Sequence, residues 1–328
     1  MQLRHILCLL PILLAGLVQG SPAPGNTLSQ TDVGNMYAHA REMLEDRSIQ
    51  DVSTVPLLLE TCTREGHPDA ARLLMDVYEG KFKGLEANAK QAAHLARSLA
   101  ESPRLDRAKP ELRKVRTEAM YRLALYLEKG TGCTANKQEA YQWMHKAALR
   151  GMSQAKVEEA RYLMCGNGVS ANPQLAWQIL RSQAEAKDAP ETPHLFFYMG
   201  YMCAQGIGMP RNARLAFELY RHGARLNDAR CLNNLGTMFE KGYPTPRNSE
   251  NALKLYRKAA HLGNREASAN MQRLVFKEGI RARNLSITPP KKRIDNAVYR
   301  VILALPISEY SRERLKEWLQ LSKEDHEI

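Results

Sequence analysis

Apolar residues along this chain recur in short helical stripes separated by glycines. In residues 119–129 and 231–241 a large apolar residue is followed by a small one: Leu123-Ala124 and Leu235-Gly236. Residues 195–205 repeat this as Met199-Gly200, and residues 155–165 keep only the small member, Ala160 after Glu159. Three positions before each glycine stands Leu127, Leu163, Cys203 or Phe239. These spacings place one apolar stripe on one face of a helix, with a small residue where a second helix can approach. Gly130, Gly166, Gly206 and Gly242 then end the helix as left-handed caps. A second helix follows in each copy. Ala140, Trp143 and Ala147 share its face in the first copy, as do Ala252, Leu255 and Ala259 in the last, beside Leu253 and Tyr256. It stops near Gly151 and Gly263, with Lys187 and Asn227 at that place in the middle copies. The four glycines lie 36, 40 and 36 residues apart, and each is followed ten residues later by an alanine: Ala140, Ala176, Ala216 and Ala252. A fixed period of this length predicts stacked helix pairs, an architecture that is a binding surface first.

A degenerate copy lies upstream. Residues 61–70 read as a second helix running into a first helix that ends at Gly80, with Ala92 or Ala93 in the alanine position. An insertion containing Pro103 and Pro110 follows. The last copy reads Ala-x-x-x-Leu-Gly-x-x-Phe-x-x-Gly, then Asn-Ala-x-x-Leu-Tyr-x-Lys-Ala-Ala-x-x-Gly-Asn, with Cys231 replacing the first alanine. This pattern resembles the Sel-one-like repeat, a relative of the tetratricopeptide repeat. The resemblance implies an all-α fold, a right-handed α-α superhelical solenoid of about five to six helix pairs with helical caps. It also implies scaffolding in complex assembly, envelope processes or host contact. The organisation that follows is a signal peptide over residues 1–20, an N-terminal helix or cap over 21–52, a degenerate repeat with insertion over 53–118, four repeats over 119–270, and a basic linker with a C-terminal helical cap or tail over 271–328.

In such an array the first helices line the concave side. Their outward positions are Arg122 and Leu125, Glu158 and Arg161, Tyr198 and Tyr201, and Asn234 and Thr237. Tyrosine and arginine are enriched at binding hot spots, so a protein or peptide in this groove is the expected partner. Taken singly, each of these residues also reads as ordinary helix surface.

Residues 1–20 have a basic start, Arg4-His5, and a short apolar run over 6–18, the pattern of a secretory signal. The expectation is a secreted or periplasmic protein without a transmembrane segment after cleavage. The formal net charge is +12. It favours an acidic surface or polymer as a further contact, and nucleic acid is not expected for an exported chain. Its densest stretch runs from Arg273 to Arg293, with Lys291, Lys292 and Arg293 as the anionic-surface candidates and a solvated linker as the bland alternative. Export permits disulfides among Cys62, Cys133, Cys165, Cys203 and Cys231. Cys133, Cys203 and Cys231 fall at packing positions, Cys165 is expected to be more exposed, and a Cys133–Cys165 bridge is the one candidate pairing. No metal-ligand cluster, phosphate loop, cofactor motif or nucleophile elbow appears. The Gly-x-Gly turns follow helices, so they read as caps. A hydrolase with Cys165 as nucleophile, acting on cell-wall material or, as the resemblance to cysteine-rich relatives implies, on β-lactams, is the rival reading; it lacks a supporting motif, and those relatives' cysteine framework is absent.

Overall fold

The computed structural model describes residues 28–46, 51–186 and 192–278. The described residues are all-helical, with thirteen α-helices, one 3-10 turn and no strand. They form a helical-repeat solenoid in which consecutive helices pack on one another. The chain divides into two compact units between Ala147 and Ala148. Residues 1–27, which include the expected signal peptide, residues 47–50 and 187–191, and everything after residue 278 lie outside the described residues.

In the first unit, α1 (Gln30–Glu45) opens with a capping box in which Ser29 and Asp32 satisfy each other's backbone N–H groups. It buries Val33, Met36, Ala40 and Met43, while Leu44 stays at the edge. The amphipathic α2 (Val55–Arg64) packs on α1, and α3 (Pro68–Tyr78) packs on α2. Then come α4 (Ala89–Glu101), the 3-10 turn Pro103–Asp106, α5 (Pro110–Lys129) and α6 (Lys137–Leu149). The sequence places the start of the first repeat helix at residue 119, whereas α5 begins at Pro110. Proline suits the first helical turn because its fixed φ matches and its missing N–H would have no partner there. Buried Arg116 holds this extension by donating to the Ala100 carbonyl at 3.0 Å and pairing with Asp106.

The second unit alternates first and second helices: α7 (Ser153–Cys165), α8 (Pro173–Glu185), α9 (Pro193–Gln205), α10 (Ala213–Arg225), α11 (Ala229–Lys241), α12 (Ser249–His261) and the start of a further pair, α13 (Arg265–Glu278). Each packs on the next, and the first helices α7, α9 and α11 also touch in succession.

One connection is built the same way five times. Asn88, Asn136, Asn172, Asn212 and Asn248 each stand just before a second helix. Their backbone N–H groups donate to Tyr78, Leu127, Leu163, Cys203 and Phe239 carbonyls of the preceding first helix at 2.8–2.9 Å. Their side-chain oxygens accept from the backbone N–H three residues on, at 2.8–3.1 Å. Four residues after each asparagine comes a buried alanine, which makes Ala92 the degenerate copy's alanine, with Ala93 buried beside it.

The capping Gly242 sits at φ 71°, where a side chain would be strained. The second glycine of the Gly-x-Gly loops has a separate cause. A Cβ on Gly132 would lie 1.9 Å from the Ala89 carbonyl oxygen, and one on Gly208 would lie 2.4 Å from that of Pro173. The loop of one repeat therefore rests against the N-terminus of the second helix before it. Asn227 takes the left-handed conformation at φ 61° in place of glycine, which asparagine tolerates.

The small residue of each first helix admits a large one twenty positions later. A Cβ on Gly200 would come 2.7 Å from the Tyr220 ring, and one on Gly236 would come 2.8 Å from the Tyr256 ring. Tyr256 is fully buried and donates to Glu240 at 2.9 Å. Gly236→Ala is expected to destabilise the protein by about 1–3 kcal/mol through overpacking. Gly34, also helical, has nothing within 4 Å of its missing Cβ, so Gly34→Ala is expected to stabilise by about 0.5–1 kcal/mol. Urea unfolding of both variants checks the pair, and equal effects would remove the close approach as the reason for Gly236.

Candidate protein-binding face

The residues expected to line a groove fall into different environments. In the first unit, half-buried Arg122 of α5 sits among acids. Its guanidinium donates to Asp76 at 2.8 Å and Glu79 at 3.2 Å on α3, and to Glu118 at 2.7 Å one turn back on its own helix. Burial alone would lower its pKa, yet these carboxylates hold it above the ordinary arginine value. Lys81 and Arg72 complete the network from its rim, at 2.5 Å from Asp76 and 2.7 Å from Glu118. Arg122 is thus engaged within the fold.

In the second unit, Glu158 of α7 is buried. It accepts from Arg161 at 2.6 Å and lies 3.0 Å from His194 Nδ1 on α9. Burial pushes its carboxyl pKa up, but the hydrogen bonds from His194 and Arg161 outweigh that and leave it below the ordinary value. Tyr198 is buried as well, and burial raises its hydroxyl pKa to about 12. The expectation that Glu158 and Tyr198 face an open groove is corrected here: first helices pack on first helices at this position, so the side chains are covered by the next repeat. Tyr201 is the exposed member, at 36 %. Asn234 is partly exposed and lies beside the Tyr220 hydroxyl. Thr237 donates to the Asn233 carbonyl at 3.1 Å, and its hydroxyl lies 3.1 Å from that of Tyr256.

Three residues of this face are not among the groove candidates. His194, Arg230 and Phe197 share it with Tyr198 and Tyr201. Arg230 of α11 lies 4.1 Å from the Phe197 ring and 5.5 Å from the Tyr198 ring. Phe197 and Tyr201 stack with centroids 6.3 Å apart. Helical spacing contains the signal: His194 precedes Tyr198, and Arg230 precedes Asn234, by one turn of four residues.

Arg273 is not a free member of the basic stretch. Its two terminal nitrogens grip Glu240 at 2.6 and 2.7 Å. Lys291, Lys292 and Arg293 lie outside the described residues. The five described cysteines are free thiols, so the candidate Cys133–Cys165 bridge is absent. Cys62, Cys203 and Cys231 are buried and Cys165 is exposed. Burial pushes the Cys62 thiol up to about 11 and raises Cys203, Cys231 and Cys133 as well, which disfavours the reactive thiolate. Among the described residues no group of three or more histidine, cysteine or acidic side chains could hold a metal, and no helix is long and apolar enough to cross a membrane.

The family model for the Sel1 repeat matches residues 117–152, 160–188, 197–228 and 229–264. The chain carries four Sel1 repeats. They correspond to α5/α6, α7/α8, α9/α10 and α11/α12, while the Asn88-capped pair α3/α4 follows the same build outside the matched spans. A Sel1 repeat protein from Oxalobacter formigenes is 24 % identical, with a TM-score of 0.50, over 70 % of this chain and 86 % of that one. A protective antigen of uropathogenic Escherichia coli with an SLR fold is 19 % identical, with a TM-score of 0.44, over 76 % and 58 %. A sel1 repeat protein from Klebsiella pneumoniae subsp. pneumoniae is 18 % identical, with a TM-score of 0.42, over 67 % and 98 %. No curated protein matches the chain. Sel1 repeat proteins are generally protein–protein interaction scaffolds.

The Glu158 cluster carries a pH dependence. A lowered folded pKa stabilises the fold fully above the ordinary glutamate value of about 4.3, and the contribution is lost as pH falls toward the folded value. Glu158→Gln is therefore expected to be less stable than the native chain at pH 7, with the gap closing below about pH 4. Denaturant midpoints across pH check this, and a gap that widens in acid would contradict it.

Proposed function

We propose that this chain is an exported adaptor that binds a protein or peptide on the first-helix face of its Sel1 repeats. The observation that carries the reading is the α9 face. Tyr201 stands exposed there, backed by Phe197, with Arg230 over the Phe197 ring. An exposed tyrosine beside an arginine is the composition of an interface hot spot. Their support by packed neighbours lowers the ordering cost that a flexible surface would bring to binding. The four repeats favour an interaction role. The apolar run of residues 6–18 behind Arg4 supports export.

The test is affinity capture from a native extracellular or periplasmic extract with residues 21–328 as bait. A discrete protein retained at high salt is expected, because apolar and hydrogen-bonded contacts resist screening. Tyr201→Ala should weaken its retention, whereas Arg214→Ala on the exposed side of α10 should not. Retention confined to low salt, or insensitive to Tyr201, would move the site off this face. Export has its own check. The secreted protein is expected to begin at Ser21, and a product that still starts at Met1 would remove the signal peptide from the reading.

A further inference from the structure

The ion pairs on the first helices of the second unit share one polarity. Glu158 pairs with Arg161 and His194, Asp228 with Arg230, and Glu240 with Arg273. The acids are inside, with side chains only 8 %, 6 % and 8 % exposed. The bases are outside: Arg161 at 21 %, Arg230 at 33 %, Arg273 at 51 % and His194 at 53 %. Each arginine–acid pair is neutral in sum, but an approaching molecule meets the base first. This is not a mere consequence of the chain's positive charge. In the first unit Arg122 is 13 % exposed, and the three carboxylates around it are all more exposed than it is.

Arg230 is held in a defined pose. Its Nη2 donates to Asp228 Oδ2 at 3.1 Å, while Asp228 Oδ1 accepts from the backbone N–H groups of Arg230 and Cys231 at 2.9 and 2.8 Å. Asp228 is thereby committed to capping α11, and the guanidinium is laid against the Phe197 ring. A guanidinium has five N–H donors in a flat fork that suits a carboxylate. Phe197 and Tyr201 offer an aromatic surface next to it.

We infer that the α9–α11 face takes an extended acidic segment of a partner protein, with a carboxylate on Arg230 and a neighbouring aromatic side chain against Phe197 and Tyr201. The inference rests on the adaptor reading and specifies its partner. A basic segment would meet outward-facing bases, and a neutral polar one would leave both the fork and the rings unused.

The probes are three synthetic peptides of equal length that alternate glutamate with phenylalanine, lysine with phenylalanine, or glutamate with serine. Binding to residues 21–328 is read by fluorescence anisotropy. The glutamate–phenylalanine peptide is expected to bind at least roughly tenfold more tightly than either other. Tyr201→Ala should weaken it by about tenfold, since this exposed side chain can be removed without opening the core. Arg230→Gln should remove the preference for the glutamate–phenylalanine peptide over the lysine–phenylalanine one. Circular dichroism melts confirm that both variants fold. Equal binding of the lysine peptide, or no effect of either variant on the acidic one, would overturn the inference. If extract capture retains a protein through Tyr201 while the glutamate–phenylalanine peptide does not bind, the acidic partner is wrong and the adaptor reading stands.

Discussion

The asparagine that opens each second helix is the joint on which the array depends. Its backbone N–H reaches the carbonyl three residues before the first-helix glycine, or two before it in the Asn88 copy, and its side chain caps the helix it starts. Two otherwise unpaired groups at two different helix ends are satisfied by one residue, and the two helices are fixed relative to each other. Everything downstream follows from that angle. In the four Sel1 repeats the alanine four residues on falls at the helix–helix contact, and the large residue four further faces the small residue of the first helix. Loop length varies between copies, from the short Gly-x-Gly turns to the longer stretch after Gly80, yet the asparagine bond is kept at 2.8–2.9 Å in all five. The joint, not the loop, sets the pair.

Core volume is then shared across each pair. Gly200 and Gly236 face Tyr220 and Tyr256 in near contact, while the other two copies carry Ala124 with Met144 and Ala160 with Leu180, all fully or almost fully buried. A larger second-helix residue goes with a smaller first-helix one, as a close-packed interior demands. Each tyrosine also brings a hydroxyl that must be satisfied. Tyr256 finds Glu240 and Thr237, and Tyr220 finds Asn234. The polar residues of the first helices are in part the partners that these buried rings require.

That explains which parts of the molecule the sequence discloses. Helix pairs, glycine caps and the small–large alternation are local or spaced by one repeat, so periodicity finds them. The five asparagines are equally periodic, but a polar residue in a polar loop carries no hydrophobic signal, and their spacing shows only once the loops are aligned from the alanine backward. Tyr198 and Glu158 mislead for another reason. On a single helix they point away from the second helix of their own pair, as a surface residue does. In the array the neighbouring first helix covers that direction, and burial there depends on residues such as His194 and Arg230 about one repeat further along. Arg273 is likewise basic by sequence and paired in the fold, because Glu240 lies 33 residues before it. The start of α5 at Pro110 could be read only with the Arg116 contacts in hand.

The same separation of tasks bears on binding. Residues that set the solenoid, namely asparagine, glycine, alanine and the paired large side chain, point between the helices of a pair. Residues that decide what the surface presents point along the row of first helices, and there the choice open to evolution is which member of each ion pair lies inside. A buried acid under an exposed base is tolerated when the buried charge keeps its hydrogen bonds, as Glu158 and Glu240 do. Two units built on one joint can carry opposite arrangements, Arg122 enclosed by carboxylates in one and Glu158 enclosed by bases in the other, without any change in the way their helices pair.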